Sequence, residues 1–311
     1  MSKFVLMADA GCDLSAELQK KYDIRVINGH IVLPGKGDIP SFMEWGEISA
    51  EAFYTDLKKN PNNYSTSPAN VAEYEAVFEE YAKEDTPVIC VTISSTMSGS
   101  MGFAETAKKN ILQKYPDAKI ALVDSMRFGP GFGLMVVHAS ILRGEGKSYE
   151  EVVGYLEQNK NRFHQAGWLD DLSFVAKKGR LTHPKAFFGT LAGIKPIGEF
   201  DSGGMTTVLG KAKGAKAAYA VLLRYIEATV ENPSDQVFFI AQSNRLAQAQ
   251  QYKQMIEERF HPKGVFINDV YPFCGINVGP GLMAAYYMGK PISADLSVER
   301  ALIEKFIAEA K

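Results

Sequence analysis

Five small hydroxyl side chains, Ser94, Ser95, Thr96, Ser98 and Ser100, crowd into the stretch SSTMSGS, and a second group, Thr66-Ser67-Pro68, precedes them. Neutral hydroxyls are donors for an anion, because a carboxylate or phosphate has acceptor sites to fill and short side chains let it approach the backbone. They are poor nucleophiles here, since no base stands beside them in sequence to take a proton. The pattern points to binding rather than turnover. A plainer reading accompanies it: Ser98 can cap the following helix and the other hydroxyls can satisfy backbone groups, as happens in most strand-to-helix turns.

The cluster needs a strand before it and a helix after it. Val88, Ile89, Val91, Thr92 and Ile93 form an apolar, β-branched run without strict alternation, which predicts a strand covered on both faces, as in a parallel sheet. Met101, Ala104, Ala107, Ile111 and Tyr115 then recur at helical spacing. Ligands of open α/β sheets collect at such strand ends, where a helix N-terminus offers unpaired N–H groups.

The same alternation runs through the first half. A strand over Lys3 to Met7, a short helix marked by Leu14, Leu18 and Tyr22, and a strand over Ile24 to Ile27 come first. Asn28-Gly29 predicts a hairpin into His30 to Leu33, and Pro34 to Trp45 reads as a loop. Helices from Ser49 and over 71–83 follow, then the central strand, a strand over Lys119 to Val123, and a helix opened by Phe128-Gly129-Pro130-Gly131-Phe132-Gly133. Ser148 with Glu151 has capping-box spacing. Beyond about residue 162 the pattern changes. A hairpin joins Lys195 to Phe200 with Met205 to Lys211, helices cover 214–231 and 245–259, and strands cover 236–242 and 264–270. Gly279-Pro280-Gly281 is expected to open a helix through Tyr287, and Leu296 to Ala310 a final amphipathic one. The expected fold is α/β in two domains. Residues 1–161 form a mostly parallel sheet flanked by helices and carry the Ser/Thr turns; residues 162–311 form a smaller α/β domain with antiparallel elements.

Composition narrows the function classes. Across 311 residues, 46% hydrophobic and 23% charged residues describe an ordinary globular chain, and a net charge of -2 argues against nucleic acid as the main partner. No apolar run is long enough for a membrane span and no signal-peptide core follows Met1, so a cytoplasmic location is expected. Cys12, Cys90 and Cys274 are scattered and show neither metal spacing nor a disulfide framework. No Walker motif, dinucleotide fingerprint or G-x-S-x-G elbow occurs, and the five histidines include no H-x-x-x-H pair. His138 reads as a core or rim residue on an apolar helix, and Asp9, Asp13 and Asp124 read as loop hydrogen-bonders more readily than as metal ligands. No cofactor and no catalytic residue is expected.

Taken together, the motifs resemble those of the DegV family of bacterial fatty-acid-binding proteins, over nearly the whole length to about Pro291. Ser94-Ser95-Thr96-Met97-Ser98-Gly99-Ser100 is similar to the family's S-S-x-x-S-G-T/S, and Thr66-Ser67, eight residues before Tyr74, to its T-S segment. Asp124-Ser125 with the following Gly-rich turn fits its D-S. Lys177-Lys178-Gly179-Arg180-Leu181 resembles its K-G-G-R-I, Ile194-Lys195-Pro196-Ile197 its I-K-P, and Gly279-Pro280-Gly281 its G-P-G. The resemblance implies a long-chain fatty acid whose tail lies in an apolar tunnel between the domains and whose carboxylate is held by Thr66 and Ser95. Ser94, Asn277, Gly129 and Arg180 are the further ligand contacts it implies. Some members present the lipid to a separate fatty acid kinase subunit, so the protein itself would be a non-catalytic carrier. Two departures stand out. Ala8-Asp9-Ala10-Gly11 replaces T-D-S-T, and Asn277 occupies the place of a His that precedes the G-P-G; an Asn can donate a hydrogen bond but carries no proton charge.

The residues themselves require a polar head and an apolar lining for such a ligand, with Phe174, Phe187, Phe188 and Phe273 as candidate lining. Arg180 taken alone reads as a solvated charge after a turn, and the resemblance moves it towards the site mouth. Two other readings stay open: an enzyme acting on a small phosphorylated or carboxylated metabolite at the same strand-end site, and a regulatory module whose ligand only stabilises the fold.

Overall fold

The run Val88–Thr92 is a strand buried at every residue, as its unbroken apolar composition requires. The computed structural model describes residues 4–182 and 193–310, so Phe187 and Phe188 lie outside the described residues. In chain order the first half contains β1 (Val5–Asp9), α1 (Ala16–Lys21), β2 (Ile24–Ile27), β3 (His30–Leu33), β4 (Gly37–Pro40), α2 (Ala50–Lys59) and β5 (Ser65–Ser67). It continues with α3 (Val71–Ala82), β6 (Val88–Thr92), α4 (Ser100–Lys114), β7 (Ile120–Asp124), α5 (Gly129–Gly144) and α6 (Tyr149–Asn159). The second half contains β8 (Phe163–Leu169), α7 (Ser173–Lys177), β9 (Ile194–Phe200), β10 (Thr206–Lys213), α8 (Gly214–Thr229) and β11 (Val237–Gln242). It ends with α9 (Leu246–Phe260), β12 (Gly264–Asp269), α10 (Pro272–Val278), β13 (Leu282–Met288) and α11 (Ser297–Glu309).

The fold is α/β. A parallel sheet of order β2-β1-β6-β7 comes entirely from the first half, and a six-stranded sheet of order β10-β9-β8-β13-β11-β12 entirely from the second. The latter is antiparallel except for its β11–β12 pair. A small antiparallel sheet, β4-β3-β5, carries Thr66. Helix α5 is apolar almost all round and is buried from Gly129 to Val137, packing on β1 and β2 of one sheet and on β8, β11 and β13 of the other. One apolar core therefore runs through both halves, from Phe4 to Tyr286. On α5, His138 is half-buried and meets the edge of Phe163; burial lowers its pKa to about 4, so it is a neutral packing residue.

Three expectations change. Asn28-Gly29 makes no hairpin: β2 pairs in parallel with β1, and β3 belongs to the small sheet, where the hairpin is β3–β4 and part of the expected 34–45 loop is strand. Gly29 serves close approach instead, since a Cβ there would lie 2.5 Å from the Phe273 ring and 2.7 Å from Ser67 O. Residues after Gly279-Pro280-Gly281 form a strand, β13, with the helix α10 before the motif rather than after it. β13 is flanked by β8 and β11 and covered on both faces, which erases the period that tells strand from helix. The same masking hid β8, buried at all its residues.

Gly279 ends α10 at φ 76° and ψ -179°, a conformation that is essentially reserved for glycine. A Cβ would also stand 2.4 Å from the Phe174 ring. Gly279→Ala is expected to destabilise the protein by roughly 3 kcal/mol, combining backbone strain with overpacking. A urea midpoint unchanged from the parent's would contradict this account of the motif.

Candidate functional site

The turn after β6 is closed by Met97 N and Ser98 N, which donate to Ser94 O at 3.0 and 3.1 Å. Ser95 and Thr96 form its exposed outer corner, while Met97 is buried and Ser98 half-buried on the inner side. Two strand-end carboxylates hold the turn. Asp9, ending β1, accepts from Gly11 N at 2.7 Å and Ile93 N at 2.9 Å; Asp124, ending β7, accepts from Met126 N at 2.9 Å and Ser95 N at 3.3 Å. Burial raises the Asp9 pKa to about 6, against the pull of its two backbone donors. Asp13 accepts from Tyr271 N at 3.0 Å. All three acids thus serve backbone N–H groups, and among the described residues no His/Cys/Asp/Glu group could hold a metal ion.

A cavity of about 120 Å³ lies between the inner side of this turn, β5 and α10. Thr66, Ser98, Gly99, Arg180 and Asn277 give it polar edges; Ile93, Met97, Phe128, Val175, Phe273 and Val278 give it apolar walls. Phe128, Val175, Thr206 and Val278 also wall a second chamber of about 40 Å³ against the six-stranded sheet, so the two adjoin. Asn277 Nδ2 donates to Thr66 Oγ1 at 3.1 Å and to Phe273 O at 3.2 Å. Since Thr66 already accepts there, its own O–H is left to donate. Arg180 Nε donates to Met97 O at 3.1 Å and its guanidinium also bonds Lys178 O, which fixes the cation beside the turn.

Of the six residues singled out from sequence, Thr66, Asn277 and Arg180 come together on this cavity. Ser94, Ser95 and Gly129 lie outside its lining. Ser94 is buried, its hydroxyl sharing a 2.8 Å hydrogen bond with Thr96 and packing under Gly204 of the β9–β10 turn. Ser95 is exposed, with its N–H directed at Asp124, whose charge would repel an anion there. Gly129 faces Asp13, at φ 56°. The hydroxyl of the cluster that borders the cavity is Ser98, which by pattern reads as a helix cap; it also accepts from Ser100 N at 3.3 Å. Of the candidate phenylalanines, Phe273 lines the cavity and Phe174 packs on Gly279 instead.

Residues 3–290 match the model of the family described as "Uncharacterised protein, DegV family". The chain belongs to the DegV family. A DegV domain-containing protein of Clostridium perfringens is 30% identical over 289 residues, covering 93% of this chain and 98% of its own. Among solved structures, a DegV family protein from Thermus thermophilus, described by its fatty acid binding, aligns with a TM-score of 0.81 at 24% identity, over 92% of this chain and 99% of that one. The fatty acid kinase B3 protein of Streptococcus pneumoniae, loaded with linoleic acid, aligns with a TM-score of 0.76 at 22% identity, over 93% and 100%. Both have the fold of this DegV chain. Helix α11 lies beyond the family match and is nevertheless integral: Ile303 and Phe306 are buried, and Arg224 stacks over the Phe306 ring at 4.3 Å. No helix among the described residues is long and apolar enough to cross a membrane.

Asp9 makes the DegV turn pH-dependent. Because its folded pKa lies near 6, above the ordinary 3.8, the folded state binds more protons across that window and loses stability as pH rises from about 4 to 6. Asp9→Asn has no such loss. The stability of the variant relative to the parent is expected to climb by roughly 3 kcal/mol across this range. Urea melts at several pH values would show it; a constant difference would refute the assignment.

Proposed function

We propose that this chain is a cytoplasmic carrier of a long-chain fatty acid, with the carboxylate at Thr66, Ser98, Asn277 and Arg180 and the acyl chain in the two adjoining chambers between the halves 1–161 and 162–311. The observation that carries the proposal is the composition of the lining: hydroxyl, amide and guanidinium donors edge one chamber, and apolar side chains continue into the next. An anion with a greasy tail needs both, since a buried carboxylate must be paired while each buried methylene adds about 0.8 kcal/mol. The fatty acids described for the Thermus and Streptococcus relatives support the same ligand class.

Chemistry by this chain alone has little support. Among the described lining residues the ionisable side chains are Arg180 and Cys274, and burial pushes the Cys274 thiol well above its ordinary pKa. Neither is a general base. The kinase connection of the Streptococcus relative supports presentation of the bound lipid to a separate kinase subunit as the onward step, with the chain here non-catalytic. Three free cysteines agree with a reducing compartment.

Protein purified under native conditions is expected to carry a fatty acid visible by intact-mass analysis. Thr66→Val and Ser98→Ala should each weaken binding about 10- to 100-fold, the worth of one hydrogen bond to a charged group, with Ser95→Ala near the parent. Extraction that yields no lipid, together with no binding of any common fatty acid, would sink the carrier reading. A loss with Ser95→Ala and none with Ser98→Ala would return the head group to the outer corner of the turn.

A further inference from the structure

Building on the fatty-acid reading above, we propose that the second chamber receives the methyl end of the acyl chain and that Gln165 and Gly198 set the length this protein accepts. The chamber lies on the inward face of the six-stranded sheet, and its floor lacks side chains where Gly167 and Gly198 stand opposite one another in β8 and β9. Hydrocarbon can rest there against backbone. The floor has little slack beside it: a Cβ on Gly198 would already be 3.1 Å from Thr207 O and 3.3 Å from Thr206 Cγ2 of the neighbouring strand β10. A larger side chain at 198 must therefore take its room from the chamber.

Gln165 gives the same chamber a polar limit. It is 4% exposed and lines the chamber among apolar neighbours. Its Oε1 accepts from Tyr286 O–H at 3.0 Å, but its Nε2 has only a long, 3.4 Å contact with Gly198 O. A methyl group pressed on that amide gains no burial against apolar surface and denies the N–H any better partner. Each methylene housed before the limit raises affinity about fourfold, and each one beyond it adds nothing or costs. Gln165 thus acts on the tail while Thr66 acts on the head.

Straight-chain fatty acids from about 12 to about 20 carbons, competed against one another on the full chain and read by native mass spectrometry, test this. Gly198→Val should move the optimum shorter by about two carbons. The double variant Gln165→Leu with Tyr286→Phe removes both partners of the buried bond, so neither is stranded. It should strengthen binding of acids longer than the parent optimum by at least about fourfold and leave shorter acids within about twofold. Thr66→Val should lower every length by one common factor. If both tail variants change all lengths equally, or leave the profile unchanged, the length assignment is wrong while fatty acid binding stands. If the parent binds no acid of any length, the reading beneath it fails instead. Should Gly198→Val not fold, the double variant decides alone.

Discussion

Helix α5 wedged between two sheets is the contact on which the rest of the architecture depends. Its third and fifth residues are glycines facing opposite ways: a Cβ on Gly131 would lie 2.6 Å from the Tyr286 ring of the six-stranded sheet, and one on Gly133 would lie 2.5 Å from Cys12 O of the first half. Both sheets can approach the same helix only because those positions carry no side chain. The Gly-rich turn Gly129-Pro130-Gly131-Phe132-Gly133 is therefore a packing device. Phe128, at the N-cap of this helix, becomes the wall shared by the two chambers. The cavity thus sits at the seam where the helix begins and the halves diverge.

Charge is distributed around that seam in a consistent way. Acids at the strand ends, Asp9 and Asp124, are turned to backbone N–H groups, while the donors bordering the cavity are neutral apart from Arg180. The six-stranded sheet keeps a buried hydrogen-bonded His–Glu pair on the face away from the cavity. There His164 Nδ1 meets Glu199 at 2.9 Å and its Nε2 faces Lys290 O at 2.7 Å, with Tyr225 O–H also on Glu199 at 2.9 Å. Such a pair is costly to break, because losing one partner strands the other's buried polar groups, and it leaves the inward face free for apolar contact. Gln165 and Thr206 are polar side chains that line the chamber on this face.

Local signals were legible where one turn or one helix face decides the outcome. The capping box at Ser148, the β9–β10 hairpin and the buried β6 followed by a helix all appear where pattern places them. Legibility failed for β8 and β13. A strand covered on both faces has no alternation, and the glycines before β13 give its sequence the look of a helix start. Asn28-Gly29 failed for a different reason. The dipeptide favours a turn, but Phe273, far along the chain, occupies the space where a side chain would be.

The residue types alone determined that this chain places neutral hydroxyls at a strand end, since strand, turn and helix propensities act over a few residues, and the order of its motifs carried the resemblance to the DegV family. Tertiary structure decided which hydroxyl faces the cavity. Ser95 and Ser98 are equivalent as letters, yet the turn closed on Ser94 O sends one to solvent beside Asp124 and the other inward towards Thr66, Asn277 and Arg180. Thr66 and Asn277 are 211 positions apart and meet only when α10 is laid against β5. Contacts across such separations depend on the packing of whole elements, which no local pattern contains.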